Sequence, residues 1–224
     1  MKLESRTIQI LKSFSTINPS MAFRPGSTLS TVSPLKTVMA KATIGEMIPN
    51  SFAIYDLSKF LGVLSLFESP QLTIGERSME IAGGHQRVNY TFAAENMIVS
   101  PSDKEVKMPD CEIQFRFTTD DLSKVMKAMG VLQLPEIAVT GDGSSMHIEA
   151  IDSKNPSSDN YKVRLGDTPL NFKMIFRAEN IKIMPGDYDV QISSKGIAYF
   201  KGTDVEYWIA TEASSTFDQW RTTY

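Results

Sequence analysis

Apolar and polar positions alternate along most of this chain, and the alternation gives way to helical spacing at only a few places. At the N-terminus Leu3, Ile10, Leu11 and Phe14 fall on one helical side, with Ile8 flanking and Pro19 following. That pattern predicts a first helix. Strand patterns come next at 21–23, 27–32 and 37–42. Residues 51–64, SFAIYDLSKFLGVL, begin as a strand at Phe52, Ile54 and Tyr55. They then turn helical, with Phe60, Leu61 and Leu64 at three- and four-residue steps. Short strands are expected at 71–74, 78–82 and 87–93.

The second half opens on an alternating strand at 111–117, with Ile113, Phe115 and Phe117 to one side. A helix is expected over 120–132, with Thr119 as N-cap and Asp120 and Asp121 at the positive end of its dipole. Its buried stripe reads Leu122, Val125, Met126, Met129 and Leu132. Strands follow at 136–140, 146–151 and 161–165, with Gly141-Asp142-Gly143 as a hairpin turn. Residues 171–184, NFKMIFRAENIKIM, repeat the strand-into-short-helix event. Phe172, Met174 and Phe176 alternate, Ile181, Ile183 and Met184 follow, and Pro185-Gly186 stops the helix. Strands are expected again at 188–192, 197–201 and 205–210.

Each half therefore contains a helix, three strands, a strand, a short helix and three strands. Self-similarity on this scale is what an internal duplication leaves behind. It implies an α+β fold of two similar domains, each with two helices lying on antiparallel sheet. Between them, residues 94–110, AENMIVSPSDKEVKMPD, hold two prolines, two serines and six charged residues with little periodicity. This stretch reads as an interdomain connector, so the expected domains are 1–93 and 111–224.

Composition narrows the function. The chain has 224 residues, 42% of them hydrophobic, enough for a core in each half. A formal net charge of −3 argues against a molecule that is basic all over. One cysteine, Cys111, excludes an internal disulfide and fits a reducing compartment. The N-terminus lacks the apolar run of a signal peptide, and no stretch approaches the length of a membrane span. The Asn89-Tyr90-Thr91 sequon is therefore read as without consequence.

The charge is unevenly placed. Lys2, Arg6, Gln9 and Ser13 share one face of the first predicted helix, with Lys12 beside them. Asp120, Lys124, Lys127 and Val131 share the outer face of the third. Lys59 lies on the second, and Arg177 and Lys182 on the fourth. Solvated helix faces ordinarily carry lysine, so charge alone does not establish a nucleic-acid role. Equivalent helices in duplicated domains could, however, line one surface that contacts phosphate without reading bases.

Catalytic chemistry finds little support. His85 and His147 lie far apart without metal-ligand spacing, and Cys111 lacks a histidine partner. Gly141-Asp142-Gly143 opens no helix and has no following lysine, so it is not a phosphate loop. Asp120-Asp121 reads as helix-start chemistry. The expectation is a protein that is not an enzyme and uses neither metal nor cofactor.

Several stretches resemble the T-even-type phage DNA polymerase sliding clamps, phage relatives of proliferating cell nuclear antigen. These are MKL at the N-terminus, STIN at 15–18, AIYDL at 53–57, FLGVLSL at 60–66, LGD at 165–167, MPGDY at 184–188 and ATEASSTFD at 210–218. They run in order along nearly the whole chain, and the terminal QWRTTY lies beyond them. The resemblance implies a head-to-tail homotrimeric ring around duplex DNA, helices inward and sheets outward. It implies processivity for the replicative DNA polymerase, loading by a clamp-loader ATPase, a role with late-transcription factors, and residence in the cytoplasm of the infected bacterial host. By position it makes Lys2, Arg6, Lys12, Lys59, Lys124, Lys127, Arg177 and Lys182 candidates for the DNA-facing side. Lys127 falls where the family helix is basic; Lys124 falls where it is neutral. Met108, Ile209 and Ala210 become candidates for a partner-peptide pocket. Arg87, Val88, Tyr90 and Phe92, with Tyr161, Val163 and Leu165, become candidates for edge strands pairing subunits. The alternative is an oligomeric structural or scaffolding phage protein that does not encircle DNA; it shares the composition but does not need converging basic helices.

Overall fold

The computed structural model describes residues 1–102 and 106–218. The chain divides into two compact units, Met1–Glu105 with Asp204–Tyr207, and Val106–Thr203 with Trp208–Tyr224. Within the expected connector the division falls between residues 105 and 106.

The first unit runs α1 (Ser5–Ile17), β1 (Met21–Phe23), β2 (Gly26–Val32), β3 (Val38–Ile48), β4 (Phe52–Ile54), α2 (Leu57–Leu64), β5 (Gln71–Ile74), β6 (Ser78–Gly83) and β7 (Gln86–Thr91). Helix α1 buries Thr7, Ile10, Leu11, Phe14 and Ile17, one stripe at helical spacing. Ile10, Leu11 and Phe14 are fully buried, each contributing roughly 1.5–3 kcal/mol. The helix ends where Asn18 becomes extended, its N–H donating to the Phe14 carbonyl at 3.0 Å, and Pro19 prevents continuation. Helix α2 buries Leu57, Phe60 and Leu64 and packs against α1. Antiparallel pairing joins β2 to β3, β1 to β4, and β5 through β6 to β7. Strand β3 continues past the expected residue 42 because Ile44 and Ile48 keep the buried alternation going.

The second unit contains β8 (Ile113–Phe117), α3 (Thr119–Leu132), β9 (Glu136–Asp142), β10 (Ser145–Ile151), β11 (Tyr161–Asp167), β12 (Asn171–Arg177), β13 (Tyr188–Ser193) and β14 (Ile197–Lys201). Next comes β15 (Val205–Ala210), whose residues 205–207 group with the first unit, and then β16 (Thr216–Asp218). One antiparallel sheet has the order β11-β10-β9-β12-β16; β8, β13 and β14 pair side by side in another. Helix α3 lies on β10 and β11 and buries Leu122, Val125 and Met129. The β9–β10 turn is held by Asp142, whose Oδ1 accepts from the N–H groups of Ser144 and Ser145 at 3.0 and 2.7 Å. Gly143 takes φ +83° there, a conformation that favours glycine.

Four expectations are corrected. The fourth helix is a three-residue 3-10 turn, Ala178–Asn180, leaving three α-helices among the described residues. In the first unit Asp56 caps α2, accepting the Lys59 N–H at 2.8 Å; at the matching place Arg177 has no side-chain acceptor to offer. Pro185 then disfavours helical backbone at the preceding Met184, so the turn is not extended. Lys2 precedes α1 rather than sitting on it, and the N-cap of α3 is Thr118, not Thr119. Met126, assigned to the buried stripe, is 38% exposed; α3 is the only α-helix of its unit among the described residues. Strand β16 was not expected.

Candidate nucleic-acid-facing helices and edge strands

Each of the three helices is anchored by an acceptor that satisfies N–H groups its first turn leaves open. At α1 the N-cap residue Glu4 provides no side-chain cap, and Glu46 of β3 takes its place. Glu46 accepts from the Glu4 N–H and from the Thr7 hydroxyl, the latter at 2.6 Å. At α2 the cap is Asp56. At α3 Thr118 and Asp121 form a reciprocal capping box. Asp187 reinforces it from the loop before β13, accepting the Thr119 N–H at 2.9 Å and hydroxyl at 3.1 Å. Those bonds, followed by one from the Arg116 guanidinium, hold the Asp187 carboxyl below the usual carboxylate range.

All eight candidate cations are exposed. Their electrostatic situations differ. Arg6 forms a two-pronged pair with Asp204, Nε to Oδ2 at 2.7 Å and Nη2 to Oδ1 at 2.6 Å. Lys124 pairs with Asp120 one turn earlier at 2.5 Å. Arg177 pairs with Glu179 at 3.5 Å and Glu212 at 3.0 Å. Lys2, Lys12, Lys59 and Lys127 have no ion pair among the described residues. Lys12 and Lys59 lie on the two helices that pack together; Lys127 lies on α3.

Strands β7 and β11 both lie at the edge of their sheets. On β11 Tyr161, Val163 and Leu165 are half-buried, while Lys162 pairs with Glu149 at 2.9 Å and Arg164 with Asp167. On β7 Val88 is half-buried and Arg87 pairs with Glu80 at 3.5 Å. Tyr90 is committed inside its own unit. Its ring meets Phe60 edge-on at 5.4 Å and its hydroxyl donates to the Asp56 carbonyl at 3.3 Å. Phe92 lies beyond the end of β7 and stacks on Phe52 at 4.8 Å, which stacks on Phe23 at 4.4 Å. Of the pocket candidates, Met108 and Ala210 are half-buried and Ile209 is fully buried, so Ile209 is a core residue rather than an accessible wall. Among the described residues no three His, Cys, Asp or Glu side chains are gathered as metal ligands would be.

Residues that sequence reasoning passed over turn out to organise these elements. Asn18, in STIN, is buried and bonds three separate segments; Asp187, in MPGDY, caps α3; Tyr188, also in MPGDY, donates its hydroxyl to the Met184 carbonyl at 2.6 Å. Ser215, in the near-terminal stretch, accepts the Ile175 N–H at 2.9 Å. The quoted motifs thus carry much of the folding chemistry. Glu46 and Asp204 left no local signal, because their partners lie far away along the chain.

Known proteins answer to this arrangement. Residues 114–213 match the family described as gp45 sliding clamp, C terminal, and residues 2–87 match DNA polymerase processivity factor. The chain is 34% identical over 221 residues to a sliding clamp of Vibrio phage KVP40, covering 95% of this chain and 100% of that protein. It is 30% identical over 228 residues to the sliding clamp of Enterobacteria phage T4, covering 97% and 100%. Its fold is similar to PCNA from Thermococcus kodakaraensis, with TM-score 0.69 and 14% identity over 95% of this chain and 99% of that one. It is also similar to the Helicobacter pylori beta clamp bound to a DNA ligase peptide, with TM-score 0.71 and 11% identity over 95% and 65%.

Proposed function

The chain belongs to the phage sliding-clamp family of DNA polymerase processivity factors, and on that footing we propose how its parts do the work. The protein encircles duplex DNA and tethers the replicative DNA polymerase, so that dissociation from the template becomes rare. The gain is one of effective concentration and requires no bond-making by the clamp. We read it accordingly as an accessory protein without catalysis of its own. It acts in the infected host cell, in our reading in the cytoplasm; no described helix is long and apolar enough to cross a membrane.

Three copies close head to tail. A heterologous contact must close or grow without limit, and unpaired strand edges invite such pairing. Strands β7 and β11 are the proposed partners, with Val88 on one side and Tyr161, Val163 and Leu165 on the other supplying apolar contact. The helices face the DNA, and the connector 94–110 joins domains 1–93 and 111–224. Proteins that use the clamp dock by short peptides near Met108 and Ala210. A clamp-loader ATPase opens the ring, and late-transcription factors are further candidates for the same docking site.

The observation that carries this reading is the family match in both halves of a chain whose two units each set a capped, lysine-bearing helix against antiparallel sheet. Sedimentation without DNA tests the assembly. A closed trimer weighs three times the 24.9 kDa of one chain. A species of that mass, with longer polymerase products when clamp and loader are added, is expected. A persistent monomer at high concentration would defeat the ring.

A further inference from the structure

Of the eight candidate cations, five lie on the three helices and Lys2 precedes α1, while Arg177 ends β12 and Lys182 follows the 3-10 turn, so neither lies on an α-helix. The guanidinium of Arg6 is matched to the Asp204 carboxylate by two bonds, 2.7 and 2.6 Å, across 198 residues of sequence. This fork-to-fork geometry holds a planar cation in one orientation. Asp204 is held at its other end too, its carbonyl accepting the Thr43 N–H of β3 at 2.9 Å. Asp204–Tyr207 is also the one segment from the second half of the chain that groups with the first unit. Arg6 and Thr43 together grip its first residue.

We infer that Arg6 fastens the 204–207 segment rather than contacting phosphate, and that this chain meets DNA through isolated lysines, chiefly Lys12, Lys59 and Lys127. The second half of this inference rests on the proposed DNA-facing role of the helices. Engaging a phosphate would require Arg6 to exchange one bidentate anion for another and to release Asp204. Lys124 and Arg177 are likewise engaged by carboxylates. Lys12, Lys59 and Lys127 have no such partner among the described residues. A lysine ammonium is a hydrated point charge on a flexible stem, able to follow phosphates without a fixed geometry. A few such charges suit a surface that slides, because each neutralised phosphate adds to the salt-dependent hold on DNA.

The test combines Arg6→Ala, Asp204→Asn, their double variant, and a triple variant of Lys12→Ala, Lys59→Ala and Lys127→Ala, each in the full chain. Two quantities are read, the thermal midpoint and the salt dependence of binding to a short DNA duplex. Arg6→Ala and Asp204→Asn should lower the midpoint by similar amounts, and the double variant no further than either. Neither should change the slope of log affinity against log salt. The lysine variant should flatten that slope by about 1 for each lysine engaged. If Asp204→Asn tightens binding or steepens the slope, Arg6 has been released onto phosphate and the fastening role is overturned. The same holds if Arg6→Ala flattens the slope, or if the two midpoint losses simply add. If the lysine variant leaves the slope unchanged, the helices do not face DNA, and the midpoint cycle still decides the role of Arg6.

Discussion

The side-chain amide of Asn18 donates to the carbonyl oxygen of Val99 at 2.9 Å, although 81 residues separate the two. The same nitrogen donates to Val32 at 2.9 Å, and the Asn18 oxygen accepts the N–H and hydroxyl of Ser20 at 2.9 and 3.1 Å. One buried amide thus ties the end of α1 to the chain entering β1, the end of β2 and the stretch that begins the connector. Asn18→Ala would leave two carbonyl oxygens and the Ser20 donors without these partners, at a cost of roughly 3 kcal/mol. Urea unfolding should show the midpoint fall accordingly. A loss below about 1 kcal/mol would mean that water replaces the amide at little cost.

Glu46 is a helix cap supplied from a strand. Glu46→Ala should cost about 1 kcal/mol, the ordinary value of an N-cap. Glu46→Gln retains an acceptor and loses only the charge at the positive end of α1, so it should cost a few tenths. Equal losses in the two variants would show that charge, not hydrogen bonding, is what Glu46 contributes.

The Arg6 guanidinium holds the Asp204 carboxyl below the ordinary carboxylate range, first by its hydrogen bonds and then by its charge. A carboxyl depressed in the folded state contributes stability that is fully present above its unfolded pKa of about 3.9. That contribution is lost as pH falls through the lower, folded value. Melting temperatures of the native chain and Asp204→Asn should therefore differ at pH 6 and converge in acid below about pH 4. Because the pair is partly solvated, the difference should also shrink with added salt. A difference that persists unchanged at pH 2 would refute the assignment.

Gly141 and Gly62 should respond oppositely to alanine. A Cβ at Gly141 would lie 2.5 Å from the Phe172 ring and 2.6 Å from the Leu170 carbonyl, so β9 or β12 must shift. Overpacking of this kind costs about 1–3 kcal/mol. Gly62 lies inside α2 with nothing within 4 Å of an added Cβ, and alanine there should stabilise by about 0.5–1 kcal/mol. Differential scanning calorimetry of both variants checks the pair; a loss at Gly62 would mean that α2 is not helical throughout.

What could be read along the chain was whatever depends on near neighbours. Helices α1, α2 and α3 and most strands follow from apolar spacing, because a helix stripe or a strand face is a local period. The β9–β10 turn follows from Gly143, and the Thr118–Asp121 capping box is equally local, although the expected N-cap of α3 falls one residue late, at Thr119. The internal repeat and the ordered motifs pointed to the family before any coordinate. Tertiary structure decided which of the similar-looking residues are available. Arg6 and Lys12 look alike on a helical wheel, yet one meets a carboxylate 198 residues away and the other meets none among the described residues. Phe92 and Val88 look alike on a strand, yet Phe92 stacks within its own unit. The exposure of Met126 likewise depends on what packs against α3 and not on its place in the apolar stripe. Charge pairing and burial depend on distance in space, and a linear pattern records distance only along the chain.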